Sequence, residues 1–255
     1  MPDQKIIIAN WKMNLDLPES VALAREMRSS LERTSRASGV QVAVCPSFDS
    51  IAAVGDVLEG SGILLGAQDV FWQEQGAFTG EVSASMLTAL GVSLVIIGHS
   101  ERRKYLHEDD EMINLKVRAA LAHGLTPVLC VGETYEERSA GHTDLILMRQ
   151  VIGALGGIAL KSSDRIIVAY EPVWVIGTGQ AIEPSMAEHA SQVINQSLID
   201  LFSLDSIAKQ IRVIYGGSVD AENLAEYTGI PTMHGALVGT ASVSAKKFLS
   251  LISKL

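Results

Sequence analysis

Apolar residues in this chain come in short continuous runs and do not alternate with polar ones. The runs, rich in Ile, Val, Leu and Ala, occupy residues 5–9, 41–45, 63–67, 94–98, 126–131, 166–170, 212–215 and 235–238. A strand that is apolar at every position is one buried on both faces, as in a parallel sheet covered by helices. Helical stretches separate the runs. Pro18 stands where a first-turn proline is tolerated, ahead of 21–27; Ser83 precedes 84–90, which Gly91 closes; 109–123 ends at Gly124. Glu183-Pro184 opens 186–202, and Asp220 is placed to cap a short helix over 221–227. The strand–helix alternation never breaks and no linker interrupts it. One α/β domain over 1–255, closed as a (β/α)8 barrel, therefore fits better than the competing open doubly wound sheet. A barrel would gather its chemistry at the C-terminal strand ends.

Composition narrows what that chemistry can act on. The 255 residues are 47% hydrophobic and 19% charged, which excludes a disordered chain, and a core of this size needs no disulfide staples. Lys+Arg 20 against Asp+Glu 29 gives a net charge of −9, the wrong sign for nucleic acid or an anionic membrane. An anionic small molecule would need a local positive site. Cys45 and Cys130 lie in apolar runs with no metal spacing and read as buried thiols. No run approaches the roughly 18 apolar residues of a membrane span, so a soluble cytoplasmic protein is expected, and Asn195-Gln-Ser197 is then a chance glycosylation match.

The strand ends carry the candidate residues. The first runs into Asn10-Trp11-Lys12-Met13-Asn14, and a period of two points Asn10 and Lys12 the same way. An end-of-strand lysine can be a solvated edge charge; here it would also supply the missing positive site. The fourth runs into Gly98-His99-Ser100-Glu101-Arg102-Arg103, with His99 and Glu101 on one face by the same period. It narrowly misses the GxSxG nucleophile elbow, because the last glycine is absent. The sixth ends in Tyr170-Glu171-Pro172-Val173-Trp174-Val175-Ile176-Gly177-Thr178-Gly179: a carboxylate beside an apolar segment with two glycines. That is the pattern of a base under a lid at 172–179, although a packed apolar loop with an exposed Glu has the same composition. Gly216-Gly217-Ser218 and Gly239-Thr240 follow the last two strands and offer backbone N–H groups to an anion.

Taken together the chain resembles the triosephosphate isomerases along essentially its whole length. The matching segments are Asn-Trp-Lys-Met-Asn, Gly66-Ala67-Gln68, Gly76-Ala77-Phe78-Thr79-Gly80-Glu81, Ile97 to Arg103, Cys130-Val131-Gly132-Glu133, Tyr170 to Gly179 and Tyr-Gly-Gly-Ser. The resemblance implies a TIM barrel that interconverts dihydroxyacetone phosphate and glyceraldehyde 3-phosphate through an enediolate, a step of glycolysis and gluconeogenesis. It implies Glu171 as base, His99 as a neutral electrophile, Lys12 as electrostatic stabiliser, Asn10 as donor and Glu101 as orienting group. It places phosphate on the N–H groups of Gly177, Ser218, Gly239 and Thr240, with no metal or organic cofactor. It also implies a homodimer, joined through the loop from Gln68 to Glu81. Loop gating, the tuned acid–base pair and diffusion-limited turnover are known of the family and are not read from these residues.

Three places depart from the common family pattern. Thr240 stands where a second glycine is usual, 231–235 lacks the usual acidic residue, and Gln180-Ala181-Ile182 replaces the common hinge triplet. An isomerase of another short sugar phosphate and a non-catalytic sugar-phosphate binder stay open as alternatives.

Overall fold

The computed structural model describes residues 4–178 and 180–255, with the backbone alone for 32–38; Gly179, the last residue of the expected lid, lies outside the described residues. Eight parallel strands close on themselves in sequence order. They are β1 (Ile6–Asn10), β2 (Gln41–Cys45), β3 (Leu64–Ala67), β4 (Leu94–Ile97), β5 (Thr126–Val131), β6 (Ile166–Tyr170), β7 (Ile211–Tyr215) and β8 (Gly235–Val238). Closure joins Ile6 to Gly235 and Ala9 to Val238 in the β1–β8 register. The barrel is the expected fold, with strand ends displaced by one residue at most.

The continuous apolar runs have two destinations. Ile8, Ala43, Cys45, Leu94, Ile96, Val128, Cys130, Ile167, Ala169, Ile214 and Leu237 fill the barrel interior as one buried cluster. The alternate positions, among them Ile7, Ala9, Val42, Val44, Val95, Ile97, Val168 and Val213, pack outward against the helices. Each strand needs apolar residues on both sides, and that removes the alternation. The same parity, carried past the interior layer, names the residues of the mouth: Asn10, Gln68, Gly132, Glu171, Gly216 and Gly239. Three of the six are glycine, which leaves room at the mouth.

Helix boundaries follow local chemistry. Asp16 caps Leu17–Ser38 in a reciprocal capping box with Glu19, Pro18 sits in the first turn, and Gly39 ends the helix at φ +66°. Ser83 caps Ala84–Ala89 and Asp109 caps Asp110–Ala122. One expectation is corrected. The helix after β7 is Leu224–Thr228, because the Asp220 carboxylate accepts the Glu222 and Asn223 N–H groups in a local turn that delays it.

A four-charge cluster lies under the loop that follows β3. Lys116 bonds both oxygens of Asp69, at 2.7 and 2.8 Å, and also Glu108, while Arg102 bridges Asp69 at 2.7 Å and Glu108 at 2.6 Å. Burial pushes Asp69 up to about 6, Lys116 opposes that, and Glu108 adds to it. Removing one partner of a buried ion pair is costly because the others stay buried. Lys116→Met should cost about 3–5 kcal/mol at neutral pH. Losing Lys116 removes a charge that lowers the Asp69 pKa, so in the variant this carboxyl titrates above the parent's value of about 6, and the variant's deficit shrinks as pH falls and the carboxyl takes up its proton. Denaturant melts of parent and variant from acid to neutral pH check this; a deficit that stays constant, or lies under about 1 kcal/mol, would refute it.

Candidate active site

Glu171 inherits the inward parity of Ile167 and Ala169 and emerges at the mouth of the barrel, buried to 2% exposure. Its backbone N–H bonds the Val131 carbonyl at 2.7 Å, which ties Glu171 to β5. One carboxylate oxygen lies 3.0 Å from His99 Nε2, and the other accepts the Ser100 N–H at 2.9 Å. Burial alone would push this carboxyl up; the facing imidazole and the Ser100 N–H outweigh it and hold it below the usual range.

His99 does not share a strand face with Glu101, as the period-two reading expected. β4 stops at Ile97, Gly98 turns at φ +70°, and His99 becomes the N-cap of the helix Ser100–Tyr105. Only glycine adopts that turn easily. Capping brings Glu101 into place by a different route: its N–H donates to His99 Nδ1 at 3.2 Å. Nδ1 is thereby the acceptor, so in the neutral ring the proton sits on Nε2, aimed at Glu171. Burial pushes the His99 pKa down, Glu171 and then Glu101 push it up, and the net direction is up. That rise belongs to the pairing with Glu171, and a second ring proton would have to break the Glu101 N–H bond.

Lys12 meets Glu101 from the other side, Nζ to Oε1 at 2.5 Å. Its backbone is left-handed, at φ +54°, a strained conformation for a residue with a side chain. Two contacts hold the strain: the Lys12 N–H donates to Asn10 Oδ1 at 3.1 Å, and Gln68 Nε2 donates to the Lys12 carbonyl at 2.8 Å. Sequence reasoning gave Gln68 no role of its own. The inward parity of Leu64 and Gly66 would have found it.

A cleft of about 900 Å³ opens above these groups, and Asn10, Lys12, His99, Glu171, Gly177, Ser218, Gly239 and Thr240 all line it. Glu101 does not; it reaches the cleft through Lys12 and His99. Among the described residues the backbone N–H groups of Gly177, Ser218, Gly239 and Thr240 have no protein acceptor. Gly239 also makes room for the lysine: a Cβ there would lie 3.3 Å from Lys12 Cε. No group of three or more His, Cys, Asp or Glu among the described residues is arranged to hold a metal ion.

The segment after Glu171 is anchored at its base. Glu133, which burial pushes up, accepts from Tyr170 at 3.2 Å and from Trp174 Nε1 at 3.1 Å, and Arg138 stacks on the Trp174 ring at 4.6 Å. Ser218 Oγ donates to the Val175 carbonyl at 3.1 Å. On the far side, Ile182 is buried and its carbonyl accepts from Tyr227 at 2.6 Å. The departing triplet Gln180-Ala181-Ile182 thus supplies a firm anchor.

A closed barrel with a buried carboxylate–imidazole pair, an ammonium beside it and unpaired N–H groups in the same cleft defines an α/β-barrel enzyme equipped to move protons next to an anion. The family model described as triosephosphate isomerase matches residues 5–255. Triosephosphate isomerase of Carboxydothermus hydrogenoformans is 46% identical over 246 residues, covering 96% of each chain, and that of Roseiflexus castenholzii is 44% identical, covering 97% of this chain and 96% of its own. The crystal structure of triosephosphate isomerase from Bartonella henselae superposes with a TM-score of 0.86 at 34% identity and 98% coverage of both chains. The chain belongs to the triosephosphate isomerase family.

Proposed function

We propose that this chain interconverts dihydroxyacetone phosphate and D-glyceraldehyde 3-phosphate by proton transfer through an enediolate. The observation that carries the reading is the convergence of Glu171, His99 and Lys12 on one cleft that is also lined by Gly177, Ser218, Gly239 and Thr240, whose N–H groups have no protein acceptor among the described residues. A mere binder would have no use for a base and an electrophile together.

Each residue has a task that its geometry suits. The phosphate lies on the N–H groups of Gly177, Ser218, Gly239 and Thr240; Thr240 serves because its N–H is used and its exposed side chain is not. Substrate oxygens take the His99 Nε2–H away from Glu171, and the freed carboxylate removes the proton α to the carbonyl. Loss of the His99 donor, together with exclusion of water by the lid at 172–179, raises the basicity that the pairing had lowered. His99 donates from Nε2 to the carbonyl oxygen and passes protons between the two oxygens. Lys12 and the Asn10 amide stabilise the developing negative charge, with Glu101 orienting Lys12 and the ring. Glu171 then returns its proton to the neighbouring carbon.

Residues 1–255 are read as one barrel domain, cytoplasmic, with no metal or organic cofactor in the reaction. No helix among the described residues is long and apolar enough to cross a membrane. The loop 68–81 is read as the dimer contact of two identical chains. Phe71 packs on Trp72 and Phe78 at 4.1 and 4.7 Å, yet Phe78 stays 42% exposed and nearby Met13 95% exposed, apolar surface that a second copy would cover.

Purified protein given either triose phosphate should produce the other, and in deuterium oxide the product should carry deuterium at the carbon that receives the Glu171 proton. Turnover of a different short sugar phosphate alone would favour the rival isomerase, and no turnover would leave only a binder.

A further inference from the structure

The cleft extends well beyond the residues that three carbons and one phosphate can touch. Past Gly239 and Thr240 its wall continues through Ser244, Lys246, Lys247 and Ser250, and past Ser218 through Asp220, Ala221, Glu222 and Asn223. The charges along it are unevenly committed. Lys12 is spent on Glu101 at 2.5 Å, and Glu171 faces a neutral His99 at 3.0 Å, so the floor has no uncommitted positive charge to offer an anion arriving from solvent. Lys246 and Lys247 are exposed, and among the described residues neither side chain has an acidic partner. On the neighbouring segment, which follows β7, the Asp220 carboxylate already accepts two backbone N–H groups, and Glu222 is exposed.

A dianion approaching this cleft is therefore repelled by the carboxylates that follow β7 and attracted by the two lysines that follow β8, on the same stretch of chain as Gly239 and Thr240. The protein as a whole, at −9, repels it. We propose that Lys246 and Lys247 form an approach subsite, which captures the substrate's phosphate dianion at the rim and hands it to the N–H groups of the inner site. The proposal rests on the sugar-phosphate isomerase reading above and adds to it a pair of binding residues outside the reacting centre.

A rim subsite acts on association and not on the chemical step, so its signature is a loss in kcat/KM that salt erases. The test compares the parent, K246Q/K247Q, K246E/K247E and a control, K161Q/K209Q, with D-glyceraldehyde 3-phosphate at low and high ionic strength. The control changes the charge by the same amount as K246Q/K247Q, at the opposite end of the barrel: Lys161 precedes β6, and Lys209 lies in the helix that runs into β7. At about 0.02 M ionic strength K246Q/K247Q should lose roughly fivefold in kcat/KM and K246E/K247E more than tenfold, both shrinking to within about twofold at 0.5 M. The control should follow the parent at both. Lysine variants that match the parent, a loss shared equally by the control, or a loss that salt does not reduce would each overturn the subsite. A parent inactive on triose phosphates would instead overturn the functional reading itself, and the subsite with it.

Discussion

Glu171→Gln should lower kcat for triose phosphate interconversion by roughly a thousandfold, within the range of about 10²–10⁴ that a positioned general base contributes. The amide has nearly the shape of the carboxylate, so the loss reports chemistry and not packing. Geometry adds a second reason. The carboxylate accepts two donors on two oxygens, His99 Nε2–H at 3.0 Å and the Ser100 N–H at 2.9 Å. Glutamine has one acceptor oxygen and a donating NH₂, so one of those contacts becomes donor against donor. The ring cannot relieve it by moving its proton to Nδ1, because Nδ1 already accepts the Glu101 N–H. The variant should fold but bind its side chain loosely in the cleft. Steady-state assays in both directions check the prediction, and activity within tenfold of the parent would refute Glu171 as the base.

Gly132→Ala should be among the most damaging single methyls at the described glycines. A Cβ at Gly132 would fall 1.6 Å from the Glu171 carbonyl oxygen, far inside van der Waals contact. Neither side can give way. Val131 pairs with Tyr170 across β5 and β6, the Glu171 N–H bonds the Val131 carbonyl, and Gln150 clamps Gly132 from behind through its N–H and C=O. The collision is between backbones, so no rotamer change absorbs it. We expect a loss of about 4 kcal/mol or more, beyond the usual 1–3 for overpacking, seen as a fall in Tm on the order of 10 °C. Because the displaced backbone carries the base, kcat should also drop at least about a hundredfold, as expected for a shift of about 1 Å. Gly141→Ala is the control: that glycine has φ +74° and nothing within 4 Å, so only about 1 kcal/mol of backbone strain is at stake. Equal melting points for the two variants would show that the close approach at Gly132 does not constrain the fold.

Much of the site was legible because a barrel maps strand ends to one place. Once eight runs were read as parallel strands, the residues following them had to meet at a single mouth, and Asn10, Lys12, His99 and Glu171 do line one cleft. The resemblance to a known family supplied roles for those residues; their pattern alone had left Lys12 open to being an edge charge. Legibility failed where the chain leaves the strand. Glu101 and His99 come together through a helix cap, and the helix after β7 starts three residues later than Asp220 suggested, because short polar side chains divert the backbone into local turns.

By itself the sequence determined the class of fold, since only strands covered on both faces need eight unbroken apolar runs. It also determined which residue types stand at the strand ends, and that an acidic protein must gather its positive charge locally. The tertiary structure alone decided how those charges are spent. Lys12 answers to Glu101 across 89 positions of sequence, Gln68 braces a strained lysine 56 positions away, and the Glu171 carbonyl occupies space that only a glycine just past the neighbouring strand β5 can leave empty. Such pairings depend on distances of a few ångströms between segments that the chain brings together only by closing the barrel, and local pattern carries no record of them. The same holds at the rim, where Lys246 and Lys247 line the cleft.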